Sequence, residues 1–171
     1  MKTLIIVGSP RKGTSLSLAQ CCKNYCLDAE IIELRKFNIK PCLGCDCCKK
    51  NEDHSCIQKD DLSLIISKLK NADTVVFISP IYWWGVTATM KCFIDRLYSF
   101  DSWKGKEFKL ILNGGAETSD IEYKLIHDLF KEMMDYLNVP FTGFATFEAY
   151  QDKILEINNE VEEKIKALFL K

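Results

Sequence analysis

The sequence predicts an α/β fold in which a doubly wound, five-stranded parallel sheet carries helices on both faces. Two observations predict it. Short apolar runs alternate with amphipathic stretches along the whole chain, and several runs end directly in turn residues, such as the glycine, serine and proline at 8–10. Strands that alternate with helices pair in parallel, and right-handed crossovers place the helices on both faces of the sheet.

Each strand is predicted where a short apolar run is bounded by turn residues, and the five runs are 3–7, 30–34, 74–78, 108–112 and 141–147. Each helix is predicted from an amphipathic pattern, such as Leu62, Ile65 and Leu69, and the five stretches are 15–27, 60–69, 88–98, 121–137 and 151–170. Ligands of such sheets bind beyond the carboxyl ends of the strands, where the strand order reverses. We therefore expect the loops after strands one, three and four to carry the chemistry.

The length indicates a single domain. A chain of 171 residues has the size of one ordinary domain, and residues 1–171 contain no internal repeat, low-complexity segment or linker. The one irregular stretch is a cysteine-rich loop at 38–59.

Composition and charge narrow the classes of function. The chain is 47% hydrophobic and 27% charged, as is typical of a globular protein with a core. Its net charge of −1 gives no general attraction to nucleic acid or to an anionic membrane. The apolar run at 3–7 is too short for a signal peptide, and no run approaches the roughly 18 apolar residues that cross a bilayer. We therefore expect a cytoplasmic protein with no nucleic-acid or membrane partner.

The loop after the first strand is predicted to bind an anion. It contains Gly8 and Gly13 and leads into a helix start at Thr14, so that free N–H groups and the positive end of the helix dipole would face a ligand. The residues that add hydroxyl donors or positive charge are Ser9, Arg11, Lys12, Thr14 and Ser15. The glycine spacing is that of a nucleotide P-loop, but Thr14 stands where the phosphate-clamping lysine belongs. A single terminal phosphate therefore fits better than a triphosphate, and a tight turn without a ligand is the alternative.

Aromatic residues follow the third strand. Residues 79–87 read SPIYWWGVT, and the three consecutive aromatic side chains could flank a planar ring, while Gly85 allows the backbone to approach it. The alternative is that Trp83 or Trp84 packs into the core or into a subunit interface. After the fourth strand, residues 113–115 (NGG) form a loop that could close over a ligand, or merely a turn.

These segments resemble the NAD(P)H-dependent FMN reductase and iron–sulfur flavoprotein families of flavodoxin-like proteins. The resemblance rests on 8–13 (GSPRKG), 79–85 (SPIYWWG) and 91–96 (KCFIDR), and it extends over essentially the whole chain. It implies a flavodoxin-like fold, an FMN cofactor, NAD(P)H as co-substrate and a homodimer or homotetramer. It assigns FMN binding to residues of three loops, namely Ser9, Arg11, Gly13, Thr14, Ser15, Pro80, Ile81, Tyr82, Trp83, Trp84, Gly85, Asn113, Gly114 and Gly115. We interpret Lys91, Asp95 and Arg96 as structural ion-pair residues on their helix.

The cysteine-rich loop is the sharpest local feature. Cys42, Cys45, Cys48 and Cys56 have the spacing C-x2-C-x2-C-x7-C, and short thiolate spacings of this kind wrap a [4Fe–4S] cluster. The region also resembles the compact cysteine motif of iron–sulfur flavoproteins, although flavin reductases carry similar cysteines. Free or oxidisable thiols near a subunit interface and a four-thiolate zinc site stay open as alternatives. Cys47 adds a further thiol beside Cys48.

The four remaining cysteines are expected on helices as small buried apolar residues, namely Cys21, Cys22, Cys26 and Cys92. His54 lies inside the cysteine loop, where we expect a solvated residue rather than a zinc ligand.

The leading hypothesis is an FMN-dependent oxidoreductase that passes electrons from NAD(P)H to a flavin, a quinone or another small acceptor. Positioning of the two rings would be the main contribution of the protein, and no side-chain acid or base is required. We therefore name no catalytic residue. An electron carrier between protein partners is the second hypothesis, and a thiol-based sensor that has lost its flavin is the third.

Overall fold

The computed structural model describes residues 1–26, 28–150 and 153–170. Its strands are β1 Lys2–Val7, β2 Asp28–Glu33, β3 Thr74–Tyr82, β4 Gly85–Val86, β5 Glu107–Gly114 and β6 Phe141–Glu148. Its α-helices are α1 Thr14–Lys23, α2 Cys47–Lys50, α3 Leu62–Lys70, α4 Ala88–Arg96, α5 Ile121–Tyr136 and α6 Asn159–Ala167. Single turns of 3₁₀ helix follow β2 and α4, at Leu34–Lys36 and Leu97–Ser99.

Five strands form one parallel sheet in the order β2-β1-β3-β5-β6, and β4 pairs antiparallel with the end of β3. This strand order is that of flavodoxin-like folds. The chain steps from β1 to one side for β2 and then to the other side for β3, so the crevice between β1 and β3 is the switch point. The predicted α/β fold with a five-stranded doubly wound sheet is confirmed.

Both faces of the sheet are covered, as the continuous apolar runs predict. In β1, Leu4 and Ile6 belong to the larger core cluster, which includes residues of α3, α4 and α5. Ile5 and Val7 belong to the second cluster, which includes residues of α1 and α6. The core therefore holds the sheet from both sides and fixes the strand ends that carry the loops.

In the structure, two helices begin or end well inside their predicted bounds. The predicted helix 151–170 begins only at Asn159, because Asn158 caps it by accepting a hydrogen bond from the N–H of Val161 at 3.0 Å. The predicted helix 15–27 ends at Lys23. Gln151, the predicted start of the one helix, and Leu27, the predicted end of the other, lie outside the described residues.

Strands β3 and β5 are longer than predicted, and they extend through Tyr82 and Gly114. The two predicted binding segments that follow them are therefore partly strand. None of the helices in the described parts of the chain has the length and apolar character needed to cross a membrane.

Candidate functional site

A cleft opens at the carboxyl ends of β1, β3 and β5. Its lining comes from the three predicted segments and from the residues after β6, and it consists of Ser9, Arg11, Gly13, Thr14, Ser15, Pro80, Ile81, Tyr82, Asn113, Gly114, Gly115, Ala149 and Tyr150. The structure thus brings eleven of the predicted site residues together. Within the described lining Arg11 is cationic and no residue is a carboxylate, so the local charge favours an anionic ligand.

Helix α1 begins in this cleft without a capping side chain. Gly13 occupies the N-cap position in an extended conformation, and no side chain hydrogen-bonds to the first turn from there. The first N–H groups and the positive end of the helix dipole are therefore available to an anion. A Cβ atom built on Gly13 would meet no atom within 4 Å, so the space in front of the helix is open.

Buried hydroxyl groups fix the shape of this loop. Ser9 Oγ donates to the carbonyl oxygen of Arg11 at 2.9 Å and accepts from the N–H of Arg11 at 3.3 Å. Ser15 Oγ donates to Asn113 Oδ1 at 2.7 Å, which ties α1 to β5. Thr14 Oγ1 accepts from the N–H of Leu155 at 3.0 Å, so its hydroxyl hydrogen can face a ligand. The anion loop is thus held in place by the protein itself.

Gly8 anchors the loop against the start of α4. Its N–H donates to the carbonyl oxygen of Ile78 at 2.8 Å, and its own carbonyl oxygen accepts from Thr87 Oγ1 at 2.5 Å. The same Thr87 oxygen accepts from the N–H of Met90 and so caps α4. A Cβ atom on Gly8 would lie 2.7 Å from Met90 Cβ, which is closer than two non-bonded carbon atoms approach in proteins. Only glycine lets the first loop and α4 approach this closely.

We expect Gly8→Ala to lower the free energy of unfolding by about 1–3 kcal/mol. The added methyl group would overlap with Met90 Cβ, which is attached to the backbone and cannot move away as the end of a flexible side chain could. Urea unfolding followed by circular dichroism measures it. Gly13→Ala is the matched control, since the same methyl group there enters open space, and it should cost much less. Equal losses in the two variants would contradict the close packing at Gly8.

The opposite wall of the cleft is built by the extended ends of β3 and β5, where Pro80 pairs in register with Asn113. A Cβ atom on Gly114 would lie 3.0 Å from Tyr123 Oη and 3.4 Å from Ile81 Cβ. Burial raises the pKa of Tyr123 to about 12, so its hydroxyl stays protonated. The small residue at 114 therefore lets the cleft wall lie directly over a protonated tyrosine.

Trp83 and Trp84 form the tip of the β3–β4 hairpin, outside the described cleft lining. Tyr82 pairs with Gly85, so the turn has only these two central residues. Both have positive φ angles, 50° and 59°, as a type I′ turn requires. Trp83 is 91% exposed and Trp84 60% exposed, and their rings meet edge to face at 5.3 Å. The structure thus places Trp83, Trp84 and Gly85 beside the cleft rather than in its wall.

Replacing Trp83 and Trp84 together by Asn and Gly should raise the free energy of unfolding by about 1–2 kcal/mol. A bulky residue in the left-handed region costs roughly 1–2 kcal/mol, and two such costs exceed the 0.5–1.5 kcal/mol of one ring contact. Asn-Gly is the sequence that this turn prefers. Thermal unfolding of the variant measures the change, with Trp83→Phe/Trp84→Phe as the control that keeps both strained positions aromatic. A loss of stability in the Asn-Gly variant would contradict the strain argument.

Two cleft residues escape the sequence prediction. Ala149 and Tyr150 follow β6, and Tyr150 Oη donates to Glu148 Oε1 at 2.7 Å. The Tyr150 ring lies over Gly115, where a Cβ atom would meet it at 3.7 Å. The available signal is an aromatic residue two positions after the last strand, because the carboxyl ends of parallel strands lie at the same edge of the sheet.

The cysteine-rich loop does not form a metal site in the described structure. No group of three or more His, Cys, Asp or Glu side chains among the described residues is arranged to hold a metal ion. Cys42 and Cys45 are exposed, whereas Cys48 and Cys56 are half-buried and Cys56 packs against the core. The predicted ligands Cys42, Cys45, Cys48 and Cys56 therefore do not converge.

Cys45 and Cys47 interact with each other instead. The backbone N–H of Cys47 makes the largest contribution to stabilising the Cys45 thiolate, and the Cys47 thiol the next, so the pKa of Cys45 is lowered. The side-chain hydrogen bond to Cys45 raises the pKa of Cys47. His54 also lies in this loop, with its Nδ1 at 3.3 Å from the carbonyl oxygen of Cys48.

A buried ion pair joins the two ends of the cysteine loop. Arg96 at the end of α4 donates to both carboxylate oxygens of Asp60, at 2.7 and 3.2 Å, and to the carbonyl oxygen of Lys40 at 2.8 Å. Asp60 accepts in turn from the N–H of Lys40 at 3.0 Å. Both ionic side chains are almost fully buried. One arginine thus holds the start and the end of the loop together.

The charged residues of α4 form ion pairs, in agreement with their interpretation as structural residues. Lys91 pairs with Asp95 at 2.5 Å on the surface of the helix, and Arg96 pairs with Asp60. Of the cysteines expected to be buried on helices, Cys21 and Cys22 are buried on α1. Cys92 on α4 is half-buried. Cys26 is also half-buried, but it lies beyond the end of α1 at Lys23, so its expected position on a helix is wrong. Burial raises the pKa of the Cys22 thiol, so it stays a neutral packing residue.

Residues 1–154 match the sequence profile of the family described as NADPH-dependent FMN reductase. Among curated proteins, YwqN of Bacillus subtilis, named as an NAD(P)H-dependent FMN-containing oxidoreductase, is 31% identical over 163 residues, or 86% of this chain and 85% of that protein. An iron–sulfur flavoprotein of Archaeoglobus fulgidus is 42% identical over 100 residues, or 56% of this chain and 48% of that protein. The chain spans about half the length of this and two further iron–sulfur flavoproteins that it matches.

Solved structures support the fold. The Trp repressor binding protein from Bacillus subtilis superposes with a TM-score of 0.73 at 21% identity and covers 99% of both chains. An FMN-dependent NADH-azoreductase from Bacillus anthracis, in complex with FMN, has a TM-score of 0.65 at 16% identity and covers 99% of this chain and 100% of the other. At such identities the likeness establishes the flavodoxin-like architecture and nothing finer.

Proposed function

The chain belongs to the NADPH-dependent FMN reductase family, and from that premise we propose that it is a cytosolic oxidoreductase that binds FMN in the cleft and passes electrons from NAD(P)H to a small acceptor such as a quinone or a flavin. The observation that carries the proposal is the uncapped start of α1, which opens into a cleft with a cation and hydroxyl groups and without a carboxylate in its described lining. That donor set fits a single phosphate monoester.

The residues of the first loop would hold the phosphate. The N–H groups at the start of α1 donate to it, and the Thr14 hydroxyl and Arg11 guanidinium add a donor and a charge. Gly13 supports the site by leaving its entrance open. Ser9 and Ser15 act mainly through the hydrogen bonds that hold the loop to itself and to Asn113.

The ends of β3 and β5 would hold the ring system. Pro80, Ile81 and Tyr82 of β3 and the neighbouring residues 113–115 at the end of β5 together offer the wall that faces the first loop. We include Trp83, Trp84 and Gly85 as contacts for the part of the ring that extends beyond the cleft. When bound, FMN supplies the redox chemistry, because it accepts two electrons from a nicotinamide and releases them to an acceptor. The protein orients the two rings and limits the access of water, which needs no side-chain acid or base.

Anaerobic mixing of the FMN-loaded protein with NADH or NADPH tests this function. We expect the flavin absorbance to bleach, and to return when a quinone or free flavin is added. Bleaching with steady-state turnover identifies a reductase. A negligible rate of NAD(P)H oxidation with every acceptor would contradict the reductase and favour an electron carrier.

The electron carrier with an iron–sulfur cluster is the second candidate, and the cysteine spacing together with the similarity to proteins named iron–sulfur flavoproteins favours it. In the described geometry Cys42, Cys45, Cys48 and Cys56 do not fit a cluster, so we derive no step through one. Anaerobic purification followed by quantification of iron, sulfide and flavin separates the candidates. About four irons per chain would support the cluster, whereas flavin without iron would support the plain reductase.

A further inference from the structure

Two thiols of the cysteine-rich loop, those of Cys45 and Cys47, lie next to each other, and the FMN cleft uses neither. Cys45 is exposed and Cys47 is half-buried. A side-chain hydrogen bond joins the two sulfur atoms. Both are free thiols in the structure. Accessible thiols in contact with each other are the groups that oxidants convert to a disulfide.

The backbone between the two cysteines has the curvature that a disulfide needs. Asp46 lies in the left-handed helical region, with φ 55° and ψ 11°. A residue of helical backbone, of either hand, brings the Cα atoms on its two sides to about 5–6 Å, as the rise and radius of a helix require. An extended residue would hold them about 6.6 Å apart. Disulfides join Cα atoms that are roughly 4.4–6.8 Å apart and most often near the middle of that range.

Local hydrogen bonds fix this turn. The N–H of Lys49 donates to the carbonyl oxygen of Asp46 at 3.0 Å, and the N–H of Asn51 donates to that of Cys47 at 3.0 Å. Aspartate is also one of the few residues that adopt the left-handed region readily. The pair is therefore held close by its own segment of chain.

The neighbouring cysteines are less suited to pair with Cys47 or Cys45. Cys48 follows Cys47 directly, and consecutive Cα atoms are only about 3.8 Å apart across a trans peptide bond, which is too short for an ordinary disulfide. The sulfur of Cys42 accepts a hydrogen bond from the N–H of Gly44 at 3.5 Å. Contact and backbone geometry thus single out Cys45 with Cys47.

We propose that Cys45 and Cys47 form a reversible dithiol–disulfide pair that exchanges with small-molecule disulfides. Cys45, the exposed member, first bonds through Sγ to one sulfur of the small disulfide, and the other half leaves as a thiol. Cys47 Sγ then bonds to Cys45 Sγ, and the remaining half leaves as a thiol. The chain loses two electrons and two protons, and the small disulfide gains both as its S–S bond is reduced.

The closed pair changes what the loop can bind. Cys45 is one of the four cysteines with the spacing of a cluster, so the disulfide withdraws one of four thiolates from any metal. The oxidation state of the pair therefore determines whether the loop can offer all four. Neither cysteine belongs to the described lining of the FMN cleft, so the test of this pair needs no flavin and is independent of the proposed function.

Mass spectrometry of the full chain after equilibration with oxidised glutathione tests the proposal. Remaining thiols are alkylated, and trypsin leaves residues 37–49 as one peptide, because a proline follows Lys40. We expect this peptide to lose the mass of two hydrogen atoms, with Cys45 and Cys47 unalkylated, and both thiols to return with reduced glutathione. Glutathione retained on Cys45, alkylation of both thiols, or a disulfide that joins other cysteines would overturn the proposal.

Cys47→Ser and Cys48→Ser are the matched variants, because both residues are half-buried neighbours at the start of α2. In Cys47→Ser the second step is lost, so a stable mixed disulfide between Cys45 and glutathione should accumulate. Cys48→Ser should form the disulfide as the wild type does. Circular dichroism checks that both variants are folded. A disulfide from Cys45 to Cys48 at wild-type yield in Cys47→Ser, or loss of the disulfide in Cys48→Ser, would overturn the pairing.

Discussion

Replacing Gly13 by aspartate should weaken FMN binding by about 100-fold or more while leaving the apoprotein at least as stable as the wild type. The carboxylate would occupy the N-cap position of α1, which has no capping side chain and open space for one. Aspartate is a favoured N-cap residue and its charge complements the helix dipole. The same charge would stand where the phosphate is proposed to bind, and two negative charges about 4 Å apart repel by roughly 4 kcal/mol at a protein surface.

Titration of the apoprotein with FMN and urea unfolding of the apoprotein measure the two effects. Gly13→Ala is the control, because it adds a Cβ atom to the same open space without charge and should change FMN affinity only a few-fold. The distinctive result for Gly13→Asp is an unchanged or higher free energy of unfolding together with a weaker affinity for FMN. Unchanged affinity would show that the phosphate does not bind at the start of α1.

Breaking the Asp60–Arg96 pair should cost about 3–5 kcal/mol of folding free energy, the range found when one partner of a buried ion pair is removed. The side chains are only 0% and 1% exposed, so Asp60→Asn leaves a buried arginine without its counter-charge. The double variant Asp60→Leu/Arg96→Met should recover most of the loss, since it removes both charges. The matched surface control is Asp95→Asn, which breaks the exposed Lys91 pair and should cost less than about 1 kcal/mol.

The same pair gives stability a pH dependence. Burial acts to raise the pKa of Asp60, but the hydrogen bonds from Arg96 and from two backbone N–H groups outweigh it and lower the pKa below its ordinary value. The stabilisation is therefore present above the pKa of the unfolded chain, about 3.9, and is lost as the pH falls through the lowered value. Urea midpoints between pH 6 and pH 3 should fall more steeply for the wild type than for Asp60→Leu/Arg96→Met. Parallel curves would contradict a role for Asp60.

The strands and the anion loop could be predicted because their signals are local. A continuous apolar run followed by glycine, and hydroxyl residues at a helix start, need no knowledge of the rest of the chain. The position of the tryptophans could not be predicted in this way. Trp83-Trp84 has none of the Asn or Gly residues that mark a type I′ turn, so nothing in the sequence indicates a hairpin that turns both rings outward.

The features that could not be predicted from the sequence depend on contacts between residues far apart in the chain. The sequence indicates that Arg96 is a structural ion-pair residue, but its partner Asp60 is 36 positions away and directly follows the cysteine loop. Contacts of the loop with the rest of the chain likewise determine how its cysteines are arranged, and the spacing of Cys42, Cys45, Cys48 and Cys56 alone does not. Tyr150 belongs to the cleft because β6 ends at the same edge as β5, a consequence of topology rather than of a motif.

The most direct test of the central claim is calorimetric titration of the apoprotein with FMN and, separately, with riboflavin. If the start of α1 binds the phosphate, FMN should bind with one molecule per chain, and riboflavin, which has the same ring and no phosphate, should bind about 100-fold more weakly or worse. Equal affinities for the two, or no saturable binding of FMN, would contradict the assignment of this cleft.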